Sequence, residues 1–82
     1  MTNNLKSSVG EGERMKYIVF EDGSYKIFPC SEIHTFMTGG KEAVSAGFVT
    51  MVNDSPTEVF GESTTLGVKS RPEDLTVISK NL

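Results

Sequence analysis

KYIVFEDGSYKIF, residues 16–28, is the stretch on which the fold turns. Two runs rich in β-branched and aromatic residues flank Asp22-Gly23, a pair that suits a two-residue type I′ turn because both central residues need positive φ. That turn sets Phe20 opposite Tyr25 and Ile18 opposite Ile27. Side chains alternate along a strand, so these four share one face, and Tyr17, Val19, Lys26 and Phe28 fall on the other. The first set is the expected core face. The second is apolar enough to call for cover by another element or by a partner.

Moving outward, Pro29 ends the second run, because it has no N–H to give to a ladder. Ser31 then offers an N-cap, and Ile33, Phe36 and Met37 at i, i+3 and i+4 predict one or two helical turns over residues 32–37. Thr38-Gly39-Gly40 stops them. Residues 43–52, AVSAGFVTMV, read as a longer strand. Asn53-Asp54-Ser55-Pro56 forms a four-residue loop into a strand over residues 57–63. In that register Phe48, Thr50 and Val52 share a face with Thr57, Val59 and Gly61. Val49, Met51 and Phe60 share the other with Glu58 and Glu62. Gly47 and Gly61 mark a bulge or a close backbone approach. Residues 64–69 are a connector or a short fifth strand.

Ser70-Arg71-Pro72-Glu73 matches a capping box, with Ser70 as N-cap, Pro72 in the first turn and Glu73 reaching back to the cap amide. Glu73 and Asp74 suit the positive end of the helix dipole, and Lys80 the negative end. Leu75, Ile78 and Leu82 give the stripe that packs on the sheet. The expected class is α+β: two antiparallel β-hairpins forming one four- (or five-) stranded sheet, a short helix between them, and a C-terminal helix packed on the sheet.

The chain has 82 residues, 37% hydrophobic and 23% charged, with net charge −3. A domain of this size buries only roughly 60–65% of the surface its unfolded chain exposes, which makes oligomerisation an expectation. No apolar run approaches the roughly 18–20 residues that cross a bilayer, and no signal pattern opens the chain, so a cytoplasmic protein is expected. The charge argues against binding a nucleic-acid backbone. Residues 1–14 show no apolar period and read as a flexible tail, with residues 15–82 as the single domain. Met15 is a candidate natural start, because the codons of residues 10–14 are purine-rich enough to be a translated ribosome-binding site.

Candidate chemistry is sparse. One cysteine, Cys30, and one histidine, His34, lie four residues apart. The further ligands that a structural or catalytic zinc site needs do not appear in any recognisable spacing, so neither metal nor cofactor is expected. As nucleophile and base the pair would need an orienting acid, Glu32 or Glu62, and a cleft that neighbours on one short helix rarely provide. No catalytic residue is assigned.

Two binding readings follow. Ser63, Thr64, Thr65, Lys69, Ser70 and Arg71 gather hydroxyls and two cations before a helix N-terminus, which suits a small anionic ligand such as a nucleotide. The alternative is that these groups only cap the helix and close a turn. The Thr38-Gly39-Gly40-Lys41 turn carries the same pair of readings, anion cradle or helix stop. Tyr17, Val19, Phe28, Val49, Met51 and Phe60 exceed what a one-sided sheet exposes, which suits a protein interface, or cover by the two helices.

The strings KYIVFEDGS (16–24), VSAGFV (44–49) and GESTTLGVKSRPED (61–74) resemble, in the same order, a group of short uncharacterised proteins of bacteriophages and prophages. No activity is established for that group, so no residue role is carried over. The resemblance implies an accessory protein acting inside a bacterial host cell. The leading expectation is a non-enzymatic binding protein that modulates or inhibits a host protein through an apolar sheet face. A homo-oligomer sequestering a small anionic ligand is the alternative. Catalysis by Cys30 and His34, or a structural part in a larger assembly, come after these.

Overall fold

The computed structural model describes residues 12–80. Strands β1 (Glu13–Phe20), β2 (Tyr25–Pro29), β3 (Ala43–Val52) and β4 (Ser55–Phe60) form one antiparallel sheet in the order β2-β1-β3-β4. A short 3-10 helix, His34–Met37, links the two hairpins. The pair β5 (Glu62–Ser63) and β6 (Val68–Lys69) makes a second, two-stranded sheet, and α1 (Glu73–Lys80) closes the chain. The α+β architecture is the one expected, with residues 64–69 resolved into a turn and a sixth strand.

The first hairpin departs from expectation by one residue. Phe20 N–H donates to Ser24 O at 2.8 Å and Gly23 N–H to Phe20 O at 2.9 Å. The loop is therefore Glu21-Asp22-Gly23, a type I turn followed by Gly23 at φ 88°, rather than a two-residue type I′ turn. Asp22 Oδ1 stabilises it by accepting the Ser24 amide at 2.9 Å and the Ser24 hydroxyl at 2.6 Å. One extra loop residue slips the register to Val19↔Tyr25, Tyr17↔Ile27 and Lys16↔Phe28. A slip of one flips β2, so Phe28 joins Ile18 and Phe20, while Tyr25 and Ile27 join Tyr17 and Val19.

The second hairpin is tighter than expected. Asn53 (φ 53°) and Asp54 (φ 67°) make a two-residue left-handed turn, and β4 starts at Ser55. The pairs Phe48↔Phe60 and Val49↔Val59 put Phe60 beside Phe48 rather than beside Val49. Strand β1 begins at Glu13, which pairs with Met51, so Glu13 and Arg14 belong to the sheet rather than to a tail. The remaining tail residues, 1–11, and Leu82 lie outside the described residues.

Both sheet faces are covered. Ile78 of α1 packs on Tyr17, Val19 and Val49, with Met15, Tyr25, Ile27, Met51, Val59 and Val77 around them. On the opposite face Ile18, Phe20, Phe28 and Ala46 lie under Met37 of the 3-10 helix and Leu66 and Val68 of the small hairpin. This corrects the expected interface. Tyr17, Val19, Phe28 and Val49 are at most 3% exposed, so they form the core. Met51 packs on the helix-side cluster and Phe60 stacks on Phe48 at 5.7 Å between centroids. Chain economy explains the outcome: two thin layers, one per face, bury both apolar sets without a partner.

Gly47 and Gly61 mark a close approach, as expected. A Cβ on Gly47 would stand 2.5 Å from Phe60 O, and Ser70 N–H donates to Gly61 O at 3.0 Å. The chain thereby folds back over β3 and carries the small hairpin onto the sheet.

Candidate functional site

The start of α1 sits one residue later than the capping box predicts. Asp74 N–H donates to Arg71 O at 2.9 Å, and Arg71 N–H donates to Asp74 Oδ2 at 2.8 Å. Arg71 thus occupies the N-cap position and Asp74, not Glu73, reaches back to it. Pro72 follows the cap, where its missing N–H costs little.

Asp74 does more than cap. It is fully buried, and its carboxylate accepts the Tyr17 hydroxyl at 2.6 Å, the Ser45 hydroxyl at 2.8 Å and the Arg71 Nε–H at 3.0 Å, with Arg71 Nη2 at 2.9 Å. Burial pushes the Tyr17 phenol well above its usual range, and the bond to Asp74 adds to the shift, so this hydroxyl stays a donor. The helix N-terminus expected to hold an external anion is therefore filled by the protein's own carboxylate. Arg71 is turned onto Asp74 and Glu73, at 2.9 and 3.7 Å, and this corrects its assignment as a ligand-binding cation.

The other residues of that segment separate. Ser63 is buried, and its Oγ accepts the Leu66 amide at 3.2 Å and lies 3.3 Å from Thr65 Oγ1. Ser70 is half-buried beside Gly61. Lys69 lines a groove of about 330 Å3 on one side of the small hairpin, with Glu62, Ser63, Thr64, Gly67 and Val68. Thr64 and Thr65 line a neighbouring cleft of about 230 Å3, walled by the hairpin and by Ile33 and His34.

That cleft assembles residues from four parts of the chain. Lys16 comes from β1 and Phe48 from β3, register partners across the sheet. Ile33 and His34 come from the 3-10 helix and its entry, and Glu62, Ser63, Thr64 and Thr65 from the small hairpin. Lys16 Nζ donates to Glu32 O at 2.6 Å. His34, 4% exposed, donates from Nε2 to Gly47 O at 3.0 Å and meets Phe28 and Phe48 edge-on. Burial lowers the His34 pKa and neighbouring Lys16 lowers it further, against the opposing pull of the Gly47 and Tyr17 backbone, so the ring is neutral. Arg14 lies 5.4 Å from the centre of the Phe48 ring, a cation–π distance.

Above the cleft the chain turns outward. Phe36 is 78% and Ile33 44% exposed, and Phe36 N–H donates to Ile33 O at 3.0 Å, so the two lie three apart on one tight turn. Buried His34 and half-buried Met37 anchor the turn to the sheet. Cys30 Sγ lies 3.3 Å from Arg14 O, away from the bond His34 makes, so the thiol and the imidazole each face backbone. Among the described residues no group of three metal-ligating side chains forms, and no helix is long and apolar enough to cross a membrane.

In comparisons with known proteins, no family model, no curated protein and no solved structure matches this chain. Sequence reading missed Lys16, Ile33 and Glu62 as lining one cleft, and Phe36 as an exposed group on the turn beside it. In the sequence Glu62 reads only as an orienting acid and Ile33 and Phe36 only as a helical stripe, while Lys16 is visible simply as a cation at the start of an apolar run.

Proposed function

We propose that this chain is a non-enzymatic binding protein of the small accessory kind encoded by bacteriophages, acting on a host protein in the bacterial cytoplasm. The observation that carries the reading is the turn that holds Phe36 out in water beside Ile33. An exposed Phe on a pinned turn loses little conformational freedom on docking, and burying it yields about 1.5–3 kcal/mol. Aromatic side chains held in this way are frequent anchors of protein interfaces. The sheet face expected to serve this purpose is core, so the docking surface moves to the turn. The Cys30 thiol and the His34 imidazole each bond a backbone carbonyl, which supports a role without catalysis.

The test compares wild type with Phe36→Asp as immobilised bait for host proteins, followed by affinity measurement with the purified partner. A partner held by wild type and bound at least about tenfold more weakly by a folded Phe36→Asp variant is the expected result. Equal affinity of the two removes the turn from the interface. Sedimentation of wild type at several concentrations covers self-association, and a dimer dissociated by Phe36→Asp would assign the turn to a second copy.

A further inference from the structure

We propose that the cleft between the 3-10 helix and the small hairpin binds a free α-amino acid with an apolar side chain. Lys16 and Glu62 line the same cleft with opposite charges, yet neither forms an ion pair among the described residues. A cation and an anion that face one space without meeting are complementary to a ligand that carries both charges. The Lys16 ammonium is held at Glu32 O and keeps two N–H donors for a carboxylate. A carboxylate such as that of Glu62 accepts from an ammonium, and His34 Nε2, committed to Gly47 O, fixes the imidazole in the cleft wall. Thr64 and Thr65 add hydroxyls at the rim, and Ile33 and Phe48 supply the apolar wall.

Size and charge narrow the class. About 230 Å3 falls below the roughly 300–1,000 Å3 of sites for drug-sized ligands, which leaves room for one small molecule. With His34 neutral, the one lysine and one glutamate cancel. The Arg14 guanidinium over Phe48 is a neighbouring cation, but the lining itself carries no net charge to favour a dianion such as a phosphate monoester. The docking turn and the cleft share Ile33, but Phe36, which carries the docking reading, does not line the cleft.

The experiment is amide-correlation NMR on the full chain, titrated with L-leucine, with isocaproate, which lacks the amine, and with isoamylamine, which lacks the carboxylate. Saturable shifts at Glu62, Thr64 and Thr65 with leucine, and affinities at least about tenfold weaker for both analogues, are expected. Lys16→Met should weaken leucine binding by a similar factor. Glu62→Gln, at an exposed position that leaves the fold intact, should erase the advantage of leucine over isocaproate. The proposal is overturned by the absence of saturation up to about 10 mM leucine, by equal binding of isocaproate and leucine, or by tighter binding of adenosine monophosphate than of any amino acid.

Discussion

At the scale of single residues, Asp74 organises the helix side of the molecule. One carboxylate accepts bonds from β1, β3 and the start of α1, through Tyr17, Ser45 and Arg71. Breaking one of these leaves a buried charge short of a donor. Tyr17→Phe should therefore cost about 1.5–3 kcal/mol, read as a fall in the urea midpoint with an unchanged slope. The phenol's pKa is raised by folding, so its contribution is complete below the unfolded value of 10.0 and fades as pH rises above it. The variant should accordingly lose the steeper alkaline part of the wild-type stability curve. A cost near zero would mean that the Tyr17–Asp74 bond does not hold the helix to the sheet.

At the scale of elements, the small hairpin is held in place by a backbone approach that only glycine permits. A methyl group on Gly47 would meet Phe60 O at 2.5 Å and Ser70 Cβ at 3.2 Å. A carbonyl within a strand cannot swing aside as a side-chain tip can. Gly47→Ala should lower stability by about 1–3 kcal/mol and shift the amide resonances of β5 and β6 more than those of β2. An unchanged urea midpoint would show that the hairpin rides loosely over β3. The hairpin also walls the cleft, so the same variant should weaken any ligand held there.

At the scale of the whole molecule, two charged or titratable groups predict a two-step loss of stability in acid. His34 is buried and neutral, with Lys16 and Glu62 as the charged groups that share its cleft. Its folded pKa lies below the unfolded value of 6.5, so the unfolded chain takes up the proton first. Stability is complete above that value and declines as pH falls through it, until the folded pKa is passed. Asp22, held at about 2 by the Ser24 hydroxyl and amide and by Lys41, adds a second decline between its unfolded value of 3.8 and about 2. Urea titrations across this range should show His34→Gln flattening only the upper step and Asp22→Asn only the lower. A single step unaffected by His34→Gln would contradict the buried neutral imidazole.

What the chain determined by itself is local. Turn residues at 22–23 and 53–54, glycines 47 and 61, and the proline at 72 placed the hairpins, the close approach and the helix start to within a residue or two, because each acts through its own backbone preference. What tertiary structure decided is which way the side chains face. Two-residue and three-residue loops are both open to Asp22-Gly23, and the choice between them flips β2. An alternating polar face would have settled it, but this sheet is apolar on both sides. The register was set by burying Phe28 under the 3-10 helix side and Ile27 under the α1 side together. Arg71 likewise reads as a free cation until Asp74, three residues on, is brought into the core and takes it. The cleft is a product of the same packing, since Lys16, His34 and Glu62 are far apart in the chain and come to line one space only when the 3-10 helix and the small hairpin cover the same face of the sheet.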